Sequence, residues 1–109
     1  MNANLKSVIS MFEKMGSNGM PINNELKWGF YFLDRRRDNL KKVYDELRSH
    51  DYNLEAVEEM ENGVYQLYVS KVEKLSPEKL HKRNVAFNEL AEYCNVFSYD
   101  GWDVEKIIQ

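Results

Sequence analysis

The residues with the chemical capacity for catalysis are few and are scattered along the chain. The two histidines, His50 and His81, have no metal-ligand spacing with the single cysteine, Cys94, or with a carboxylate. Cys94 lies on the apolar stripe of a predicted helix, where it is expected to act as a small hydrophobic residue. No glycine-rich phosphate loop follows a predicted strand. The sequence therefore does not indicate an enzyme, and these residues do not predict a metal site.

The most concentrated charge is the arginine run "DRRRD", which comes just before a predicted helix. Three cations at a helix N-terminus oppose the helix dipole at a cost of about 0.3–1 kcal/mol each when exposed. Two lysines extend this basic surface. The candidates for contact with RNA phosphate or with an acidic protein partner are Arg35, Arg36, Arg37, Lys41 and Lys42. The alternative interpretation is a solvated helix face whose charges are screened by salt.

The overall composition restricts the class of protein. The chain has 109 residues, 43% of them hydrophobic and 30% charged, which predicts one small globular domain. The net charge of −3 argues against broad electrostatic binding to nucleic acid and leaves room for a local basic patch. One cysteine excludes an intramolecular disulfide and suits a reducing cytosol. Since no secretory signal or membrane-length apolar run is recognisable, we expect a cytoplasmic protein.

The N-terminal part of the chain is predicted to be an extension that packs onto the main domain. Apolar residues from Leu5 to Met15 follow helical spacing and predict a short amphipathic helix. The segment "GSNGMPINN" collects turn-forming residues and is predicted to be a linker. We therefore expect an N-terminal helix and linker over residues 1–25 and the main domain over residues 26–109.

The main domain is predicted to begin with a strand and a helix. The run "LKWGFYFL" is apolar on both of its alternating faces, which suits a central strand covered on both sides. The aromatic residues predicted to share one face of this strand are Trp28, Phe30 and Phe32. Asp34 is expected to cap the helix that follows. The buried stripe of that helix is predicted to be Leu40, Val43, Tyr44 and Leu47.

Two β-prone runs, a helix and a last strand complete the domain. "YNLEAVEEM" and "VYQLYVSKV" are joined by Glu61-Asn62-Gly63, and Asn-Gly is the strongest short hairpin signal. Ser76-Pro77 is predicted to begin a helix, and Asn95 is predicted to end it in the left-handed conformation. Asn84 lies in the apolar stripe of this helix and is expected to bond to a neighbouring strand or loop. "VFSYDGWDVE" has room for one more strand.

The predicted order is a helix followed by β-α-β-β-α-β. Right-handed crossovers place both long helices on one face of a four-stranded antiparallel sheet, which is the ferredoxin-like arrangement in the α+β class. The N-terminal amphipathic helix is expected to cover the opposite face or part of it. This topology resembles an RNA-recognition motif, but Tyr65 and Tyr68 are predicted on opposite strand faces and the glycine- and basic-rich signature is absent.

The segment "YDGWD" near the C-terminus is predicted to be structural rather than chemical. Gly101 within a strand-like run indicates a bulge or a close backbone approach. Asp100 is expected to form a local hydrogen bond with its own backbone. The directions of Tyr99 and Trp102 depend on the bend that the bulge introduces.

Three segments taken together resemble the RraB family, regulators of ribonuclease activity that inhibit ribonuclease E. They are "YVSK" (68–71), "LHKRNVAFNELAEY" (80–93) and "YDGWD" (99–103), and the resemblance extends over about residues 27–105. The family pattern is acidic after the first strand, where this chain has the arginine run, and Asp103 stands where the family has glutamate. The positions that match the family signature are Tyr99, Asp100, Gly101 and Trp102.

The resemblance implies a ferredoxin-like, non-enzymatic protein without a cofactor. It also implies that the chain binds an endoribonuclease such as ribonuclease E directly and reduces its action on RNA. The signature positions are taken over as family markers and not as contact residues. Two alternatives stay open. One is an immunity- or antitoxin-type inhibitor, or another protein-binding module on the same fold, and the other is an RNA-binding module that uses the basic candidates.

Overall fold

A computed structural model describes residues 1 and 3–107, and within them it shows an α+β fold with one four-stranded antiparallel sheet and three α-helices. The helices are α1 (Leu5–Ser17), α2 (Arg37–Arg48) and α3 (Pro77–Tyr93). The strands are β1 (Leu26–Asp34), β2 (Asn53–Glu59), β3 (Tyr65–Glu73) and β4 (Ser98–Glu105). A short 3-10 turn, Glu61–Gly63, joins β2 to β3. The strand order is β2-β3-β1-β4, so β1 and β3 are the central strands.

Local sequence signals explain where several elements begin and end. The Ser76 hydroxyl accepts a hydrogen bond from the Lys79 backbone N–H at 3.2 Å, and Pro77 is the first residue of α3. Asn95 follows Cys94, the C-cap residue of α3, and has a φ of 57°. Asn62 has a φ of 62° in the β2–β3 turn. Asparagine tolerates this left-handed conformation better than most residues. The predicted helix start, helix stop and hairpin are therefore confirmed.

Asp34 does not cap α2, contrary to the sequence prediction. It is the last residue of β1, and the N-cap position falls two residues later, on Arg36, whose side chain makes no capping hydrogen bond. The buried Asp34 carboxylate accepts hydrogen bonds from the Arg36 N–H at 2.9 Å, the Asn39 side-chain amide at 3.0 Å and the Phe97 N–H at 2.9 Å. Asp34 therefore ties the end of β1 to α2 and to the loop before β4.

Two helices, α1 and α3, pack on the same face of β1. Trp28, Phe30 and Phe32 alternate along that face, and all three are fully buried. The ring of Phe87 from α3 lies 5.0 Å from Phe30 and 5.5 Å from Phe32 between centroids. The ring of Phe12 from α1 stacks on Trp28 at 5.7 Å. The central strand thus provides one continuous aromatic surface for both helices.

The remaining helix, α2, packs on the same face of the sheet, where it contacts β1, β3 and β2. Its buried stripe consists of Leu40, Val43 and Leu47, with Tyr44 partly buried beside it. Leu40 lines a groove together with Val57 of β2 and Leu67 of β3. Both strand residues share the face of the buried β1 aromatics by register. All the helices of the described chain therefore lie on one side of the sheet.

This packing corrects two sequence predictions. The N-terminal helix does not cover the face opposite α2 and α3, and β1 is a central strand but is covered by helices on one side only. The physical reason lies in the two faces of β1. One face presents a fully apolar aromatic row, against which α1 buries its Val8 and Phe12. The other face presents Gly29, which has no side chain, and Tyr31, whose hydroxyl is bonded to Asp103 and needs polar surroundings, so this face is less suited to an apolar helix than the aromatic row is.

Phe12→Ala is expected to loosen α1 from the sheet and to lower the free energy of unfolding by about 3–5 kcal/mol, because it removes the ring that stacks on Trp28. Urea denaturation measures this loss, and faster protease cleavage within residues 18–25 reports the release of the helix. The matched control is Met11→Ala, because the Met11 side chain is 44% exposed. This substitution is expected to change the free energy of unfolding by no more than about 0.5 kcal/mol. Equal stability of the two variants contradicts the packing of α1 described here.

Candidate functional site

The face of the sheet without a helix, called the open face below, is formed by alternate residues of the four strands. The four strands pair in the order β2-β3-β1-β4, with a register shift in the β2–β3 pair and another in the β1–β4 pair, so side chains from separate parts of the chain become neighbours. The side chains that carry its chemistry are Lys27 and Tyr31 of β1, Glu55 and Glu58 of β2, Tyr68 and Ser70 of β3, and Asp103 and Glu105 of β4.

Two tyrosines and an aspartate form the centre of the open face. Tyr31 and Tyr68 lie directly opposite each other in register, and their rings stack with centroids 4.6 Å apart and 7° between the planes. The Tyr31 hydroxyl donates a hydrogen bond to Asp103 Oδ2 at 2.6 Å. The Tyr68 hydroxyl approaches Asp103 Oδ1 at 3.5 Å. The Asp103 carboxylate is therefore held in place by two phenols from the central strands.

Gly29 makes this arrangement sterically feasible. It lies on β1 between Ser70 of β3 and Asp103 of β4 in register. A Cβ atom at this position would overlap the side chains of Asp103 and Tyr68. Because glycine has no side chain, Tyr68 from one neighbouring strand and Asp103 from the other meet above the β1 backbone.

The hydroxyls of Tyr31 and Tyr68 are protonated near neutral pH and donate hydrogen bonds to Asp103. Burial is the main cause that raises the pKa of Tyr31 well above its ordinary value of 10.0, and the hydrogen bond to Asp103 raises that pKa further. Burial, followed by the negative charge of Asp103, also raises the pKa of Tyr68. Both phenols stay protonated, so they orient the carboxylate and are unsuited to act as bases or nucleophiles.

A second polar group on the open face is built around Lys27. Its Nζ lies 2.9 Å from Glu55 Oε1 and 3.5 Å from Glu105 Oε1. The Ser70 hydroxyl donates to the same Glu55 oxygen at 2.7 Å. The hydrogen bond to Glu55 is the main cause that raises the pKa of Lys27. The bonds from Ser70 and then from Lys27 lower the pKa of Glu55.

The signature residues lie in β4 at a β-bulge. The register between β1 and β4 shifts at this point, so Tyr99 and Trp102, three residues apart, both face the helices. Gly101 is buried with a φ of 120°, a conformation that favours glycine, and Asp100 is the exposed extra residue. The bulge predicted at Gly101 is confirmed.

Tyr99 and Trp102 serve the core in this structure. Tyr99 is 1% exposed, and its hydroxyl donates a hydrogen bond to Asn84 Oδ1 of α3 at 2.6 Å. Trp102 packs against Trp28 with ring centroids 5.7 Å apart. Asn84 is fully buried, and its Nδ2 has no hydrogen-bond partner in the described part of the chain. The bond between Tyr99 and Asn84 therefore joins β4 to α3, and Asn84 contacts a neighbouring strand as the sequence predicts.

The three arginines of the basic run are exposed and have separate environments. The Arg35 side chain donates to the carbonyl oxygen of Asn62 in the β2–β3 turn at 3.1 Å. Arg36 occupies the N-cap position of α2. The Arg37 guanidinium lies 5.3 Å from the centroid of the Tyr65 ring. Two of the three arginines thus contact the hairpin at its turn or beside it.

The two lysines of α2 point to different surfaces. Lys41 and Arg37 line a groove of about 250 Å³ between α2 and β2, whose wall includes the 48% exposed Leu54. Lys42 lines another depression beside Tyr93. The structure therefore divides the five basic candidates among several surfaces instead of bringing them to one site.

The remaining reactive side chains singled out in the sequence are the two histidines and the cysteine. His50 is exposed, and His81 is partly buried on α3 with its Nδ1 unpartnered in the described chain. Cys94 is buried, and burial raises the pKa of its thiol. Among residues 1 and 3–107, no group of three or more His, Cys, Asp and Glu side chains is placed to hold a metal ion. None of the described helices combines the length and the apolar character needed to cross a membrane.

The centre of the open face is not evident from the sequence, because Tyr31, Tyr68 and Asp103 come from three strands. Their proximity depends on the register of β1 with both neighbours. The local signal that points to it is Gly29, a glycine inside an aromatic strand, which is typical of a close approach over the backbone.

Comparison with known proteins gives one family. The family described as RraB, Regulator of ribonuclease activity B, matches residues 7–104. The matched range begins at the third residue of α1 and ends one residue before the end of β4, so it includes most of the N-terminal helix and the whole βαββα segment. No curated protein matches the chain.

Asp103→Asn is expected to lower the pKa of Tyr31 toward 10.0, because the substitution removes the negative charge that opposes ionisation of the phenol. A pH titration followed through the ring carbon resonances of labelled tyrosine measures this change. Asp100→Asn is the matched control, since Asp100 is an exposed acid of the same strand. A Tyr31 pKa that is the same in both variants contradicts the hydrogen bond described here.

Tyr99→Phe is expected to lower the free energy of unfolding by about 1–3 kcal/mol, because it leaves the buried Asn84 carbonyl oxygen without its donor. The double variant Tyr99→Phe with Asn84→Leu removes both polar partners and should recover part of this loss. Chemical denaturation measures the unmodified chain, the single variants Tyr99→Phe and Asn84→Leu, and the double variant. Tyr93→Phe, at an 81% exposed ring, is the control with little expected change. Additive losses in the double variant contradict a shared bond.

Proposed function

The chain belongs to the RraB family of regulators of ribonuclease activity, and on that basis we propose that it binds an endoribonuclease, such as ribonuclease E, directly and reduces its cleavage of RNA. The family match over residues 7–104 is the observation that carries this proposal. We infer that the protein is not an enzyme, requires no cofactor and works in the cytoplasm. Its polar clusters support a binding role, because their side chains are engaged with one another and hold fixed positions.

We also infer that the βαββαβ segment is ferredoxin-like. The strand order β2-β3-β1-β4, the antiparallel pairing of all neighbours and the position of α2 and α3 on one side of the sheet support this inference. In this proposal residues 26–109 are the main domain and residues 1–25 are an attached helix and linker. The arrangement matters for function because it leaves one broad face of the sheet available to a partner.

The charge distribution favours a protein partner over direct binding to RNA. The chain has a net charge of −3, and acids predominate on the open face. RNA-binding sheets of this topology stack bases on aromatic residues of the central strands. Here the corresponding tyrosines stack on each other and bind Asp103, whose charge repels phosphate.

The basic residues and the signature residues have different roles in this proposal. Tyr99 and Trp102 are family markers that act through the core. The exposed cations remain candidate contacts for an acidic part of the partner. They are Arg35, Arg36, Arg37, Lys41 and Lys42.

The direct test mixes the purified chain with ribonuclease E and follows cleavage of a labelled RNA. We expect cleavage to slow in a saturable manner at micromolar chain concentrations, with direct binding of the two proteins seen by calorimetry. An unrelated endoribonuclease acting on the same RNA is the control, because masking of the RNA would slow both enzymes. Neither binding nor slowing under these conditions contradicts the proposal.

The same RNA in a gel-shift series tests the RNA-binding alternative, which requires an affinity that falls steeply with salt. We expect no shift at the concentrations that inhibit the nuclease. A pull-down from the native host tests the immunity- or antitoxin-type alternative, which requires a toxin in place of a ribonuclease.

A further inference from the structure

We propose that the open face of the sheet is the surface by which this chain holds its protein partner, and that the occupant is an extended segment rich in arginine. The identity of the partner as a ribonuclease rests on the proposed function. The position of the surface and the chemistry of its occupant rest on the residues of the open face.

The open face offers partly exposed apolar surface at its centre. The stacked rings of Tyr31 and Tyr68 are half-buried, and Val72, next to Lys27 on the same face by register, is 46% exposed. All the described helices lie on the other side of the sheet. Tyrosines are enriched at protein interfaces because a rigid ring with a polar end gives contact area at low entropic cost.

The negative charge of the open face favours a positively charged occupant. Among the described residues, the open face carries four acids and one lysine. Lys27 is already bound between two of these acids, Glu55 and Glu105. The other two acids are Glu58 and Asp103. The negative potential of these acids attracts a basic segment and repels an acidic segment or an RNA strand.

The geometry favours arginine over lysine. The Asp103 carboxylate is exposed and is fixed by the Tyr31 hydroxyl, so it presents its free acceptor positions without reorganisation. A guanidinium donates two parallel hydrogen bonds to such a carboxylate and stacks flat on a tyrosine ring. Tyr68 provides an aromatic ring directly beside the same carboxylate. A lysine ammonium neutralises the charge of the Asp103 carboxylate, but it cannot form the two parallel hydrogen bonds of a guanidinium.

The groove between α2 and β2 has the opposite character. It is apolar and is lined by the cations Arg37 and Lys41 together with Asp38, so it is suited to an acidic occupant. We therefore expect a basic peptide to bind the open face and an acidic peptide to bind the groove. Titration with peptides of opposite charge distinguishes the two surfaces.

The first arm of the test titrates the full chain with three peptides of equal length that alternate serine with arginine, lysine or glutamate. Amide chemical shifts are followed by NMR. We expect the arginine peptide to perturb β1, β3 and β4 around Tyr31, Tyr68 and Asp103 and to bind more tightly than the lysine peptide. The glutamate peptide should leave these residues unperturbed. Perturbation by the arginine peptide elsewhere, or none at all, overturns the proposal.

The second arm uses charge-matched variants. Asp103→Asn with Glu105→Gln removes two charges from the open face and should weaken arginine-peptide binding about tenfold, an effect that added salt reduces. Glu89→Gln with Glu92→Gln removes two exposed charges from α3 and should bind like the unmodified chain. Glu58→Gln with Glu105→Gln leaves the bond between Tyr31 and Asp103 intact and should also weaken binding, which separates loss of charge from local unfolding.

The third arm distinguishes failure of this inference from failure of the proposed function. If the unmodified chain inhibits the nuclease and the Asp103/Glu105 variant inhibits it equally well, the open face is not the docking surface. If the unmodified chain does not inhibit the nuclease, the proposed function fails and the peptide arms still decide the chemistry of the face. Concentration-dependent dimerisation that this variant abolishes assigns the face to a second copy of the chain and overturns the proposal.

Discussion

The contrast between the two faces of β1 determines the rest of the structure. One face carries Trp28, Phe30 and Phe32, which are fully buried, and the other carries Gly29 and Tyr31. Burial of large aromatic side chains is the main source of stabilisation in a chain of this size, so every helix of the described chain packs on the first face. The second face is less suited to an apolar helix, because Gly29 has no side chain and because the hydroxyls and charged groups beside it need polar contacts. A single alternation along one strand thus separates the core from the surface proposed for binding.

The bulge in β4 extends the same division to the edge of the sheet. Without an extra residue, Tyr99 and Trp102 would point to opposite faces, since side chains alternate along a strand. With Asp100 inserted and Gly101 at positive φ, both rings enter the core while Asp103 reaches the open face. The signature segment therefore performs two tasks. It supplies aromatic core to the helix side, and it fixes the register that brings an acid to the tyrosines on the other side.

Much of this fold is predictable from local signals, and the exceptions have a common cause. The hairpin at Asn62, the capped start of α3 and the stop at Asn95 each depend on one to three adjacent residues, and all are confirmed. Two predictions were wrong, namely that α1 covers the opposite face of the sheet and that Asp34 caps α2. Both features depend on contacts between distant segments of the chain. The central cluster of the open face depends on the register of three strands, which sequence alone does not specify.

The open face combines two features that have opposite consequences for binding nucleic acid, namely aromatic rings on the central strands and a carboxylate beside them. A sheet with aromatic residues on its central strands is suited to stacking nucleotide bases when its surroundings are basic. In this chain the two central tyrosines stack on each other, and their hydroxyls face a carboxylate, so the ring faces are partly occupied and the local charge is negative. The same geometry then disfavours phosphate and favours guanidinium. This charge pattern is consistent with the proposal that the chain binds a protein and not RNA.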